Sequence, residues 1–146
     1  MINENSQELD ASPTPSAGLS LTKGSGQVVS TVDTSTMEGK VRQFDALQDA
    51  QPVANFLGKK IELADIIMQS VEIADSQTGE LNPAVRVILV DKDGQAYSSV
   101  SETIVKDVRT LLTVFGSPRE WGGPLVVKVE ERQGRPGHKF YKLLTA

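Results

Sequence analysis

Apolar positions are scattered through the first 26 residues, then gather into short runs from Val28-Val29 onward, with turn residues between them. Val41 to Leu47 alternates well enough to predict a strand, with Phe44 as the first aromatic residue. Ile61 to Ile73 is long, β-branched and flanked by turn signals, which favours a strand over a short helix. Ala84 to Val90 and Ala96 to Val100 enclose Asp91-Lys92-Asp93-Gly94, so they read as a hairpin. Ile104, Val105, Val108, Leu111, Leu112 and Phe115 then recur at helical spacing. Ser101 suits the N-cap of that helix, Glu102 complements its dipole, and Gly116 with Pro118 stops it. Leu125 to Glu130 and Lys139 to Leu144 form a second hairpin around Gly134-Arg135-Pro136-Gly137. The expected fold is mainly β, an OB-type five-stranded barrel with one helix between strands 3 and 4. A β-grasp or another α+β sheet fits the same order. Phe56 and Phe115 are expected in the core.

Composition separates the chain into two parts. Fifteen of the first 26 residues are Ser, Thr, Pro, Gly, Asn or Gln, and none is aromatic. Such a segment buries too little apolar surface to offset its ordering entropy, so residues 1–27 are expected to be a flexible acidic tail. Residues 28–146 are expected to form the folded domain. The whole chain of 146 residues carries a formal charge of −4. At face value that disfavours nucleic acid as a partner.

Several chemistries find no support. Without cysteine there are no disulfides, thiolate metal sites or thiol nucleophiles. The single histidine, His138, lies in a Gly/Pro loop with no partner pattern around it and reads as a solvated loop residue. Asp91-Lys92-Asp93-Gly94 is similar to the start of a calcium loop, but Ala96 stands where such a loop needs glycine. Neither phosphate-binding glycine motif occurs. No cofactor or metal and no enzymatic activity is expected; a small hydrolase would rest only on scattered carboxylates and His138. No apolar run is long enough to span a membrane, and Met1-Ile2-Asn3-Glu4 lacks the layout of a signal peptide, so a cytoplasmic location is expected.

The position of the charges reverses the first impression. Residues 1–36 hold a net −3, whereas residues 119–146 hold six Lys/Arg against three Glu. Phe140 and Tyr141 lie inside this basic stretch, with Trp121 close to its start. Single strands are bound by basic grooves that follow phosphates and by aromatic faces that stack bases. Adjacent Phe140 and Tyr141 point to opposite faces of a strand, so only one is expected to face a groove and the other to enter the core.

Two blocks of residues carry a resemblance. Asp33-Thr34-x-Thr36-Met37-Glu38-Gly39-Lys40 followed by Phe44-Asp45-Ala46, and Asp93-Gly94-x-x-Tyr97-Ser98-x-Val100-Ser101-x-Thr103-Ile104, resemble motifs of the single-stranded DNA-binding proteins of small protein-primed tailed phages. Val127-Lys128-Val129 with the later Phe140 adds a weaker third block. The resemblance covers about residues 30 to 146. It implies an OB-like, non-enzymatic protein that coats displaced single strands during phage DNA replication without sequence preference. It also implies the host cytoplasm as location, single-stranded DNA as partner, the phage DNA polymerase as a further partner, and self-association on the strand.

Lys40, Phe44 and Tyr97 match family motif positions. Asp45 departs from the family's Asn, and residues 118–124 have no counterpart in its pattern. The expected DNA-binding set is Lys40, Arg42, Phe44, Arg86, Tyr97, Trp121, Lys128, Arg132, Arg135, Lys139 and Tyr141. In it Lys and Arg neutralise phosphates, Phe44, Tyr97 and Trp121 or Tyr141 stack bases, and Trp121 serves either as a stacking platform or as a lid on the barrel. The acidic tail is expected either to compete with DNA for the groove or to hold a partner. The rival expectation is a non-enzymatic phage structural or protein-interaction β-barrel module.

Overall fold

The computed structural model describes residues 27–146. The tail expected over residues 1–27 lies, except for Gln27, outside the described residues. The elements are β1 (Val28–Ser30), α1 (Met37–Asp49), β2 (Gln51–Pro52), a 3-10 turn (Val53–Phe56), β3 (Ile61–Ala74), β4 (Leu81–Asp91) and β5 (Ala96–Ser99). There follow α2 (Glu102–Phe115), a second 3-10 turn (Pro118–Glu120), β6 (Leu125–Gln133) and β7 (Lys139–Thr145). The protein is thus mainly β, with seven strands in one sheet ordered β2-β5-β4-β3-β6-β7 and β1 paired to β3. The expected count of five strands and one helix is corrected to seven strands and two helices among the described residues.

The added helix is α1, which replaces the strand expected over Val41 to Leu47. The N-terminal device is local. Asp33 Oδ1 accepts from the amide and hydroxyl of Ser35, at 3.0 and 2.6 Å. Thr36 Oγ1 then accepts from the Gly39 amide at 3.0 Å and caps the helix. Gly39 is buried, and a Cβ there would overlap the Asp33 carbonyl, so the turn and the helix approach closely only because this residue is glycine. Met, Glu, Lys, Arg, Gln, Ala and Leu make up most of the rest, and all favour a helix. The motif Asp33 to Lys40 is therefore, locally, a helix start.

The chain divides into two compact units: residues up to Val29 with Met68–Val85, and Ser30–Ile67 with Arg86–Ala146. In the first, the Ser70 amide donates to the Gln27 carbonyl at 2.8 Å. The Asp75 amide donates to the Glu80 carbonyl at 2.8 Å and closes a turn. The second unit holds the core. Val87, Ile88, Leu89 and Val90 are all buried, so this part of β4 is covered on both faces. Ile61, Leu63, Ile66 and Ile67 of β3, Val127 and Val129 of β6, and Ile104 and Val108 of α2 complete the apolar cluster. β6 and β7 pair antiparallel from Val127↔Thr145 to Gln133↔Lys139.

α2 has the expected bounds. The Ser101 side chain accepts from the Ile104 amide, and Gly116, at φ 77°, ends the helix with its amide on the Leu112 carbonyl. The helix ends there, and its last residue, Phe115, is 42% exposed, not a core residue. Phe56 is half-buried and meets Tyr97 edge-on at 5.1 Å between ring centroids.

β7 lies at the end of the sheet, and its free edge is met by α2. Thr103 Oγ1 donates to the Tyr141 carbonyl at 2.7 Å, and Asp107 Oδ2 accepts from the Leu143 amide at 3.1 Å. Two edge groups that would otherwise invite strand addition are thereby occupied.

Candidate nucleic-acid interface

Within the second unit, two open depressions share one side chain. A groove of about 230 Å³ is lined by Pro52, Val53, Ala54, Arg86, Ser98, Ser99, Val100 and Tyr141. A second depression of about 480 Å³ is lined by Ser101, Glu102, Thr103, Glu131, Lys139, Phe140 and Tyr141. Tyr141 stands between them, half-buried, with Arg86 in one and Lys139 in the other. Arg86, Tyr141 and Lys139 follow one another, a cation, an aromatic side chain and a second cation, with Glu102 and Glu131 beside Lys139.

Phe140 also contributes to the second depression, with its ring packed against Gly134. The expectation that one of Phe140 and Tyr141 enters the core is corrected. Both are half-buried, and Leu143 supplies the buried side chain of this strand.

The expected cations fall into two groups. Arg42 is committed within the fold. Its Nη2 donates to the Asp91 carbonyl at 2.6 Å and its Nε lies 3.7 Å from Asp65, which ties α1 to β3 and the β4–β5 turn. Arg86 donates to the Leu47 carbonyl at 3.2 Å, placing a positive charge in the last turn of α1 while it lines the groove. Lys128 and Arg132 share Glu130 at 3.0 and 3.3 Å. Hydrogen bonds from these two cations, Lys128 first, hold the Glu130 carboxyl below its ordinary range. Among the described residues, Lys40, Arg135 and Lys139 form no ion pair and are exposed.

The aromatic residues divide as well. Phe44 is 61% exposed on α1, on one stripe with Met37 and Val41. Trp121 is half-buried, and its indole N–H donates to the Gly116 carbonyl at 3.0 Å, closing the C-terminus of α2. Tyr97 corrects the expectation that it stacks bases. It is 1% exposed, packed in the core beside Phe56, with no face for a base. Residue 97 lies on β5, next to β4 in the sheet and paired with Leu89, so its side chain joins the apolar cluster.

Sequence reasoning missed Lys59. Its ammonium lies 5.4 Å from the ring centroids of both Phe56 and Tyr97. The neighbouring Tyr97 raises its pKa above the ordinary lysine value. No local signal marks Lys59, because Tyr97 is 38 residues away in sequence.

Tyr141 thus stands between a groove that carries Arg86 and a depression that carries Lys139 beside Glu102 and Glu131, on a mainly β sheet. The family model of Phi29-type phage single-stranded DNA-binding proteins matches residues 22–145, and the chain belongs to that family. The matched span includes both sequence blocks that carry the resemblance. No curated protein and no solved structure gives a match.

Proposed function

We propose that the protein coats single-stranded DNA displaced during phage DNA replication, in the host cytoplasm, without sequence preference and without enzymatic activity. The observation that carries this reading is Tyr141, shared by the Arg86 groove and the Lys139 depression. A base stacked on the Tyr141 ring has its flanking phosphates within reach of cations on both sides. Lys40 and Arg135 supply further unpaired charge, Phe44 a second exposed ring, and the sheet serves as an OB-type platform. Lys128 and Arg132 contribute once Glu130 releases them. Neutralised phosphates release counterions, so affinity falls with salt. The phage DNA polymerase and neighbouring copies on the strand are the further partners of this reading.

The test is a fluorescence titration with oligo-dT of the wild-type chain and Tyr141→Ala. Loss of one stacking platform costs roughly 1–3 kcal/mol of binding. An unchanged affinity in Tyr141→Ala removes Tyr141 from the site. The exposed stripe Met37, Val41 and Phe44 favours a second reading, a protein-interaction module. Absence of any binding to oligo-dT at about 50 mM salt selects it.

A further inference from the structure

We infer that Lys59 is a preset phosphate contact for the bound single strand, held in place by Phe56 and Tyr97. The inference rests on the single-strand reading above and adds a residue to it. Three observations carry it. The ammonium sits over two aromatic faces, 5.4 Å from each centroid, where the ring quadrupoles attract a cation. The backbone leading into it is pinned twice: the Gly58 amide donates to the Val129 carbonyl at 2.8 Å and the Lys59 amide to the Phe56 carbonyl at 3.1 Å. Lys59 is exposed, and among the described residues no carboxylate lies within salt-bridge distance of it.

These features set Lys59 apart from the other cations. Lys128 and Arg132 must leave Glu130 before they meet a phosphate, and Arg42 must leave Asp65 and the Asp91 carbonyl. Among the described residues, Lys40 and Lys139 form no ion pair, and no aromatic ring lies beneath either ammonium. Among the described residues Lys59 is an exposed cation held over two rings without an ion pair, so less side-chain freedom is lost on binding. One element links the site to the groove. The 3-10 turn whose start, Val53 and Ala54, walls the Arg86–Tyr141 groove ends in Phe56, the ring beneath Lys59. Tyr97 then has a role consistent with its burial: it positions Lys59 and touches no base.

The experiment measures oligo-dT affinity against salt for wild type, Lys59→Gln, Lys59→Arg and Lys106→Gln. Lys106 is an exposed residue of α2 with no place in the interface. Each phosphate neutralised on a single strand adds about 0.7 to the slope of log K against log salt. Lys59→Gln is expected to lower that slope by about 0.7. Lys59→Arg restores it, and Lys106→Gln leaves it at the wild-type value. Thermal unfolding of Lys59→Gln at the wild-type midpoint shows that the fold persists. Wild-type binding with an unchanged slope in Lys59→Gln overturns the assignment alone. A wild-type chain that binds no oligo-dT overturns the assignment and the single-strand reading beneath it.

Discussion

The Thr103 hydroxyl donates to the Tyr141 carbonyl at 2.7 Å, so the first turn of α2 holds the strand that carries the proposed stacking residue. Thr103→Val keeps the shape and removes the donor. The Tyr141 carbonyl then loses its partner at a part-buried position, at a cost of about 1 kcal/mol. Urea unfolding is expected to show a lowered midpoint with an unchanged slope. A midpoint equal to wild type would mean that water replaces the hydroxyl at no cost.

Glu130 restrains two of the proposed phosphate contacts. Glu130→Gln frees Lys128 and Arg132, so oligo-dT affinity is expected to rise at low salt, with the salt slope steeper by about 0.7 for each cation that reaches a phosphate. The pH dependence has a definite sign. The folded pKa of Glu130 is lowered, so its contribution to stability is present above the ordinary carboxylate value and is lost as pH falls through the lowered value. The acid limb of a stability–pH curve should therefore be shallower for Glu130→Gln. Weaker DNA binding in this variant would place Lys128 and Arg132 outside the interface.

Phe44 and Trp121 are separable by substitution. Phe44 is exposed, so Phe44→Ala should leave stability within about 0.5 kcal/mol and reduce oligo-dT affinity by roughly 1–3 kcal/mol. Trp121→Phe keeps a ring but loses the bond to the Gly116 carbonyl, so it should cost about 1 kcal/mol of stability. Oligo-dT affinity is expected to stay within twofold in Trp121→Phe, a change of about 0.4 kcal/mol. A larger loss of affinity with intact stability would make the indole a stacking platform.

β3 to β7 and α2 were legible in the sequence because their apolar residues form continuous runs or recur at fixed spacing. Val87 to Val90 are uniformly apolar because β4 is covered on both faces there, and α2 turns Ile104, Val105, Val108 and Leu111 inward. α1 was hidden for the opposite reason. Its buried positions are the small Gly39 and Ala46, while its large apolar residues, Met37, Val41 and Phe44, face outward. The usual amphipathic signal is therefore inverted. In the site, Tyr141 and Lys139 could be read from a basic, aromatic strand. The engagement of Lys128 and Arg132 was also available, since residues 128, 130 and 132 alternate onto one strand face. Tyr97 was misread because its motif position carries no information on which face of β5 is buried. Lys59 could not be read at all, since its neighbours come together only in the fold.

The most direct test compares oligo-dT with a matched duplex across a salt series, using the intrinsic fluorescence of the full chain. The account predicts quenching by the single strand at about 50 mM salt, weakening steadily as salt rises, with much weaker binding to the duplex. Equal affinity for both, or an affinity for oligo-dT that does not change with salt, would contradict it.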